Sequence, residues 1–295
     1  MTSDSPTIVL YHANCNDGFC AAWAIHRYVP GSDAFEFVPV QYGQAPPEVR
    51  GKRVLIVDFS YKRDVMIDIF ARAQHVTVLD HHKTAEAELA DIDDDPLCQL
   101  GARRPLIVFD MLKSGGRLTW EWILRIVPSL PIMETAWLVN YTEDRDMWWW
   151  RLPQSREVNA GIESYPREFK VWDELYLGGA DAIAKEGAAI LRYQNKVRDD
   201  HVKNAVDVEI DGHKVLAVNA TTMFSEVAGT LAIGRPFGVA WFVRGDGMVV
   251  HSLRSADDGI DVSELAKRHG GGGHKHAAGF ESFDCAWKEC ESEAA

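Results

Sequence analysis

The sequence predicts an α/β protein: a mostly parallel, doubly wound sheet domain, then a smaller α/β C-terminal domain, with a cleft between them. Three observations carry that prediction. Apolar, β-branched runs alternate with amphipathic stretches through the first half of the chain. Several of those runs stop at a carboxylate. A long amphipathic stretch then separates this half from a second set of strand-like runs. Strands covered by helices on both faces read as continuous apolar runs, and parallel neighbours need crossover helices.

In order, residues 7–11 (TIVLY) read as a buried strand and 18–28 as the helix after it. Residues 35–40 form the next strand. The run 53–58 (RVLIVD) is β-branched and breaks at Asp58, and 64–73 suits a helix. Residues 75–80 (HVTVLD) form a strand closing at Asp80, and 106–109 another, followed by Ser114-Gly115-Gly116 and a helix over about 118–126. Residues 134–139 look helical and lead into Asn140 to Asp146 and the aromatic run Trp148-Trp149-Trp150. The amphipathic helix at 181–203 serves as connector. The domains are therefore 1–180, a connecting helix 181–204, and 205–295. In the last, strands fall at 206–210, 214–218, 237–243 and 248–253, with Asp211-Gly212 as a hairpin signal. A short helix at 262–269 precedes four consecutive glycines.

The bulk numbers bound the function. Of 295 residues, 46% are hydrophobic and 25% charged, ordinary for a soluble globular protein. No run approaches the ~18 apolar residues that cross a bilayer. The polar start, residues 1–6, lacks the basic region of a signal peptide, so a cytoplasmic location and no membrane partner are expected. Five cysteines (Cys15, Cys20, Cys98, Cys285, Cys290) in no zinc-finger spacing read as reduced thiols. A net charge of −13 argues against gripping long duplex nucleic acid, which calls for a basic surface. It permits a small phosphate ligand, because bound cations invert the local charge of an acidic pocket. The sequence does not fix the oligomeric state, and a homodimer is compatible with it.

In doubly wound sheets, ligands sit beyond the carboxyl ends of the strands. Four segments at such ends carry ligands for hard or borderline metals: His12 to Asp17, Asp58, Asp80-His81-His82, and Asp144 with Asp146. One acid after a strand is usually a turn residue or a helix cap. Four such segments in one α/β pattern are hard to explain by capping. Anionic phosphate diesters resist attack, and two cations roughly 3.5–4 Å apart overcome that resistance by holding the phosphoryl oxygens. Carboxylate and imidazole donors suit manganese first, with magnesium or cobalt as alternatives. One carboxylate must bridge the two ions, and Asp58 is placed for it.

Asp80-His81-His82 resembles the signature of the DHH phosphoesterases. His12 to Gly18 is similar to that family's first motif, Asp58 to its second, and Asp144 or Asp146 to its fourth. The tract Gly270 to Gly279 resembles the glycine-rich motif of the associated C-terminal domain. The resemblance runs from His12 to about Phe280. It implies metal-dependent hydrolysis of phosphodiester or phosphate-ester bonds in a short oligonucleotide or small nucleotide. It implies that His12 and Asp58 bind one cation, and Asp17, Asp58, His81 and the fourth-motif aspartate a second. His82 would contact the scissile phosphate or assist the leaving group, and Asp80 would orient His81. The chain departs from the family where an aspartate usually stands two residues before Asp17: here that residue is Cys15. Asn16 and Cys15 are both candidate donors in its stead, Asn16 the better one for an oxygen-seeking ion. In the second domain, Gly271, Gly272 and Gly273 would let backbone N–H groups approach a phosphate or base, with His274 and Arg254 as side-chain partners for phosphate oxygens. Alternative readings are a catalytically impaired nucleotide sensor and a pyrophosphatase or polyphosphatase. The three tryptophans at 148–150 read as packing.

Overall fold

The computed structural model describes residues 5–94, 105–130, 135–284, 286 and 288–289. Cys98, Cys285 and Cys290 lie outside the described residues, as does Glu134, where a helix was expected to start; Cys15 and Cys20 are free thiols. The chain divides into two compact units, Met1–Leu191 and Arg192–Ala295.

The first unit is built on five parallel strands: β1 (Thr7–His12), β2 (Glu36–Val40), β3 (Arg53–Val57), β4 (His75–Asp80) and β5 (Leu106–Phe109), in the order β2-β1-β3-β4-β5. The period-two alternation of strand side chains divides the core in two. Val9, Leu55, Val57 and Leu79 face one cluster. Ile8, Leu10, Val54, Ile56, Val76 and Val78 face the other. Helices α1 (Asn16–Tyr28), α4 (Gly115–Ile126) and α5 (Trp137–Asp146) cover the first face, and α2 (Arg63–Arg72) the second. A short helix, α3 (Lys83–Glu88), follows β4. Burial on both faces explains why these strands are continuous runs of valine, isoleucine and leucine. The chain leaves β1 outward to β2 and then returns past β1 to β3. Strand order therefore reverses between β1 and β3, the switch point where sheets of this order bind ligands.

Besides α3, two further helices of this unit were not foreseen in the sequence, α6 (Ser155–Glu163) and α7 (Phe169–Gly178). Both are short, and α6 interrupts its apolar stripe with Asn159 and Gly161, which blurs the helical period. They are fixed by tertiary contacts instead: Asp173 of α7 accepts hydrogen bonds from Trp23 Nε1 (2.9 Å) and Arg27 Nη1 (2.7 Å) of α1. The expected connector is α8 (Ala180–Val202), and the division between the units falls inside it.

The second unit is a mixed sheet ordered β10-β11-β9-β8-β7-β6-β12. Its strands are β6 (Val206–Ile210), β7 (His213–Asn219), β8 (Gly238–Val243), β9 (Val249–Arg254), β10 (Gly272–His274), β11 (Ala277–Ser282) and β12 (Lys288–Glu289). Asp211 and Gly212 take positive φ (48° and 81°), the two-residue turn that matches strand twist. β7 and β8 pair in parallel, and the crossover this demands is α9 (Phe224–Leu231). The last helix is α10 (Val262–Arg268).

His251, fully buried on β9, stacks on Phe280 at 4.4 Å between ring centroids, and Phe280 also stacks on His269 at 4.5 Å. Burial, with a smaller contribution from charge on His269, pushes the His251 pKa down to about 4. The neutral ring is thus the folded form. Its contribution is whole above the unfolded pKa of ~6.5 and is lost as pH falls from there toward 4. We expect unfolding of this unit to become easier by about 2 kcal/mol over that window. His251→Phe should remove that part of the pH dependence in thermal melts taken at pH 7 and pH 4.5.

Candidate metal centre

The segment after β1 begins the site. His12 ends the strand, Asn14 takes a left-handed φ of 57°, and α1 starts at Asn16. Asp17 is therefore on the first turn of α1, 1% exposed. Asp58 follows β3 with φ 55°, its N–H donating to Leu79 O at 2.9 Å. A non-glycine residue in that region costs energy and persists only where its surroundings hold it. Asp80 ends β4, and His81 and His82 follow; all three are buried.

Among the described residues of the first unit, two groups of ligand atoms result. His12, Asp58 and His82 form one, and Asp17, His81 and Asp146 the other, each with its donor atoms within 4.8 Å of one another. Asp58 touches both. Its Oδ2 lies 3.6 Å from His12 Nδ1 and its Oδ1 lies 3.0 Å from His81 Nε2. His81 Nε2 is also 3.5 Å from Asp146 Oδ2 and 3.8 Å from Asp17 Oδ2.

Two buried carboxylates, Asp17 and Asp58, and the half-buried Asp146 repel one another at this range. Burial, and then charge on Asp58 and Asp146, raises the Asp17 pKa well above its ordinary value. Burial and Asp58 likewise raise that of Asp146. Burial alone would raise Asp58 too, but the nearby imidazoles of His12 and His81 hold it well below the usual carboxylate range. For His81, burial is outweighed by Asp58, Asp146 and Asp17, which lift its pKa to about 10. The cluster thus draws positive charge toward it. Asp17 Oδ2, Asp58 Oδ2 and Asp146 Oδ2 are buried oxygens that no hydrogen bond reaches. Leaving such atoms without a partner is costly, and a cation supplies one. Oxygen and imidazole donors in this number fit divalent ions of the manganese, magnesium or cobalt type.

Some expected placements are corrected. Asp144 and Asp146 are not at a strand end; both are on the last turn of α5, which continues past Val139 to Asp146. Asp144 serves the backbone: its carboxylate accepts from Arg151 N and Leu152 N, and its carbonyl from Trp149 N and Trp150 N. Asp80 does not orient the His81 ring. Its Oδ1 accepts from His82 Nδ1 at 2.7 Å and from the His81 and His82 backbone N–H groups, while Oδ2 accepts from Ser60 Oγ. The ring it fixes is that of His82. Asn16, 9% exposed, spends its Oδ1 on Arg167 Nε at 2.8 Å. It is Cys15 whose thiol feels Asp58, Asp146 and Asp17, which raise its pKa after burial has done so. Trp148 and Trp149 are exposed (43% and 36%), not packed.

The sequence reading gave Ser114-Gly115-Gly116 no part in the site beyond a helix cap. Ser114 Oγ does cap α4, accepting from Arg117 N. The two glycines do more. Gly116 N donates to Asp17 Oδ1 at 3.1 Å. A Cβ on Gly115 would stand 2.5 Å from Asp58 Cβ, so only glycine lets α4 start this close to the carboxylate. A small-residue pair opening a helix beyond a strand end was the available signal.

In the second unit the glycine tract is ordered. Gly270, with φ 80°, ends α10: its N–H donates to Lys267 O and that of Gly271 to Ala266 O, a Schellman pair. Gly272, Gly273 and His274 form β10 against Ala277 to Gly279. A Cβ on Gly271 would meet Phe280 Cβ at 2.6 Å, so packing accounts for that glycine. Arg254 donates to Leu253 O, Ser252 Oγ and Ser225 Oγ.

Comparison with known proteins agrees with this architecture. Residues 213–291 match the DHHA1 domain. The chain is 29% identical over 301 residues to an uncharacterized protein of Acanthamoeba polyphaga mimivirus, covering 94% of this chain and 68% of the viral one. Among solved structures it is similar to the DHH domain of a member of the S1p family of ribosomal proteins (TM-score 0.56, 13% identity, 93% of this chain and 82% of that one). It is also similar to an exopolyphosphatase-related protein from Bacteroides fragilis (TM-score 0.52, 12% identity, 95% and 88%). The class is thus a two-unit α/β protein whose residues 213–291 match a DHHA1 domain and whose fold is that of the DHH-domain and exopolyphosphatase-related structures it is similar to. Among the described residues no helix is long and apolar enough to cross a membrane.

Proposed function

We propose that the protein is a metal-dependent phosphoesterase that hydrolyses phosphodiester or phosphate-ester bonds in short oligonucleotides or small nucleotides. One observation carries this reading: the Asp58 carboxylate presents one oxygen to each of two histidine–aspartate groups, the arrangement that a pair of ions sharing a bridging ligand requires. Two divalent cations, when bound, supply Lewis acidity for in-line displacement at phosphorus. His12 and Asp58 would hold one, and Asp17, Asp58, His81 and Asp146 the other. His82, its Nδ1 fixed on Asp80, keeps one ring tautomer and so one orientation toward the reacting phosphoryl group. Asp80, clamped in turn by Ser60, keeps that ring from turning. Manganese is proposed first, because the donors are carboxylates and imidazoles. Arg254, Gly271, Gly272, Gly273 and His274 are proposed to bind substrate. The acidic charge of the chain favours a short substrate over long nucleic acid.

The test is a substrate panel with purified protein and manganese: di- to pentanucleotides, a cyclic dinucleotide, adenosine bisphosphate and pyrophosphate. Dinucleotide cleavage that EDTA and His81→Ala both abolish is the expected result. Cleavage of no phosphate compound would overturn the reading. Phosphate release from pyrophosphate alone would move the protein to the polyphosphate-cleaving class.

A further inference from the structure

A cavity of about 370 Å³ opens in the first unit beside the ends of β1 and β2. That is within the range of about 300–1,000 Å³ typical of small-molecule sites. Tyr11, Phe19 and Pro39 give it apolar walls, and Gln41, Gln44 and Arg167 give it polar groups; it reaches Asn14, two residues from His12. Nothing in the metal groups accounts for it.

Arg167 is its only charged group among the described residues. Among the described residues it forms no ion pair, in a chain whose net charge is −13. Its one hydrogen bond runs from Nε to the buried Asn16. That bond uses one of five guanidinium N–H donors and leaves the four on Nη1 and Nη2 for an oxyanion. Asn16 is thus a positioning residue: it fixes an arginine at the cavity, from a place in the sequence immediately before Asp17. Gln44 folds back so that its Oε1 accepts from Gln41 N, which holds the amide-bearing turn in one shape. Apolar and aromatic walls, three amides and one fixed arginine match a nucleobase joined to a phosphate. The position beyond a strand end, on Tyr11 and Ala13 that flank His12 in the chain, matches the nucleotide adjoining a scissile bond.

We propose that this cavity is the subsite for the terminal nucleotide of the substrate, with Arg167 gripping a phosphate that is not cleaved and the walls receiving the base. The proposal rests on the phosphoesterase reading for the word substrate, but the cavity's preference for a nucleotide is measurable without turnover. Adenosine monophosphate and adenosine are titrated calorimetrically into the full-length protein in EDTA, with wild type, Arg167→Met and Arg167→Lys. Arg167 is exposed, so its replacement should leave thermal unfolding unchanged, and melting curves check this. Wild type should prefer the monophosphate. Arg167→Met should weaken monophosphate binding roughly 10- to 150-fold, the range for a hydrogen bond to a charged group. Arg167→Lys should fall between, because it keeps the charge and loses the planar fork. Absence of monophosphate binding to wild type, or an affinity in Arg167→Met within about twofold of wild type, overturns the proposal. Arg167-dependent binding in a protein that cleaves nothing in the substrate panel would overturn the phosphoesterase reading alone. Cleavage with no effect of Arg167 on binding would overturn this one alone.

Discussion

Asp58→Ala should abolish hydrolysis and metal binding together. The carboxylate reaches both ligand sets, through Oδ2 toward His12 and Oδ1 toward His81. Removing it takes a donor from each ion at once, so neither set compensates for the other. A cation contributes several kcal/mol of transition-state stabilisation, and a loss of about 4 kcal/mol is roughly 1,000-fold in rate. The rate loss alone would not separate a lost ligand from a damaged fold. Manganese-induced stabilisation does: a ligand that binds the folded state raises the melting temperature by mass action. Wild type should melt higher with manganese than in EDTA, and Asp58→Ala should melt at the same temperature in both. In EDTA the substitution should also cost stability. Asp58 is the carboxylate whose ionised form the fold favours, through His12 and His81, whereas the ionised forms of Asp17 and Asp146 are disfavoured. Asp146→Asn should therefore raise the metal-free melting temperature at pH 7 while weakening manganese binding. A manganese shift retained in Asp58→Ala would sink the bridging role.

Much of the first unit was legible because its strands are buried on both faces. Such strands show as unbroken apolar runs, and the acids that end them mark where the sheet stops. The ligands were legible for the same reason: His12, Asp58 and Asp80 stand where β1, β3 and β4 end. Legibility failed where position depends on a helix rather than a strand. Asp144 and Asp146 differ by two residues, which on a helix is more than half a turn, so one faces the metal groups and the other the tryptophan loop. Asn16 ranks ahead of Cys15 as a donor in the sequence because its competing partner is remote from it. The partner that claims Asn16 is Arg167, 151 residues away in sequence, and no local pattern announces it. The glycine run at 270–273 was read for ligand access, but a helix stop and a tight hairpin already require three of its members. Its fold role is visible only once β11 is known to lie against it.

Gly115→Ala is expected to weaken metal binding although it touches no ligand atom's chemistry. Helix propensity alone predicts the opposite of damage, since alanine is favoured over glycine by up to about 1 kcal/mol within a helix. Packing outweighs propensity at this position. The new Cβ would stand 2.5 Å from Asp58 Cβ, 2.8 Å from Asp58 Cα and 2.8 Å from Asp58 Oδ1, distances that force a shift. Asp58 has little freedom to yield, because its backbone is already at φ 55° and its N–H is tied to Leu79 O. The first turn of α4 must move instead. That turn carries the Gly116 N–H that donates to Asp17 Oδ1, so moving it away from Asp58 loosens Asp17. Both carboxylates thus lose their fixed geometry from one methyl group. Overpacking of this kind costs about 1–3 kcal/mol of stability. Loss of an orienting contact to a metal ligand costs roughly 10- to 100-fold in metal affinity. Manganese titration followed by the shift in melting temperature measures both on the same samples. A Gly115→Ala protein that melts higher in EDTA and binds manganese as tightly as wild type would show that α4 and Asp58 are not held against each other as described.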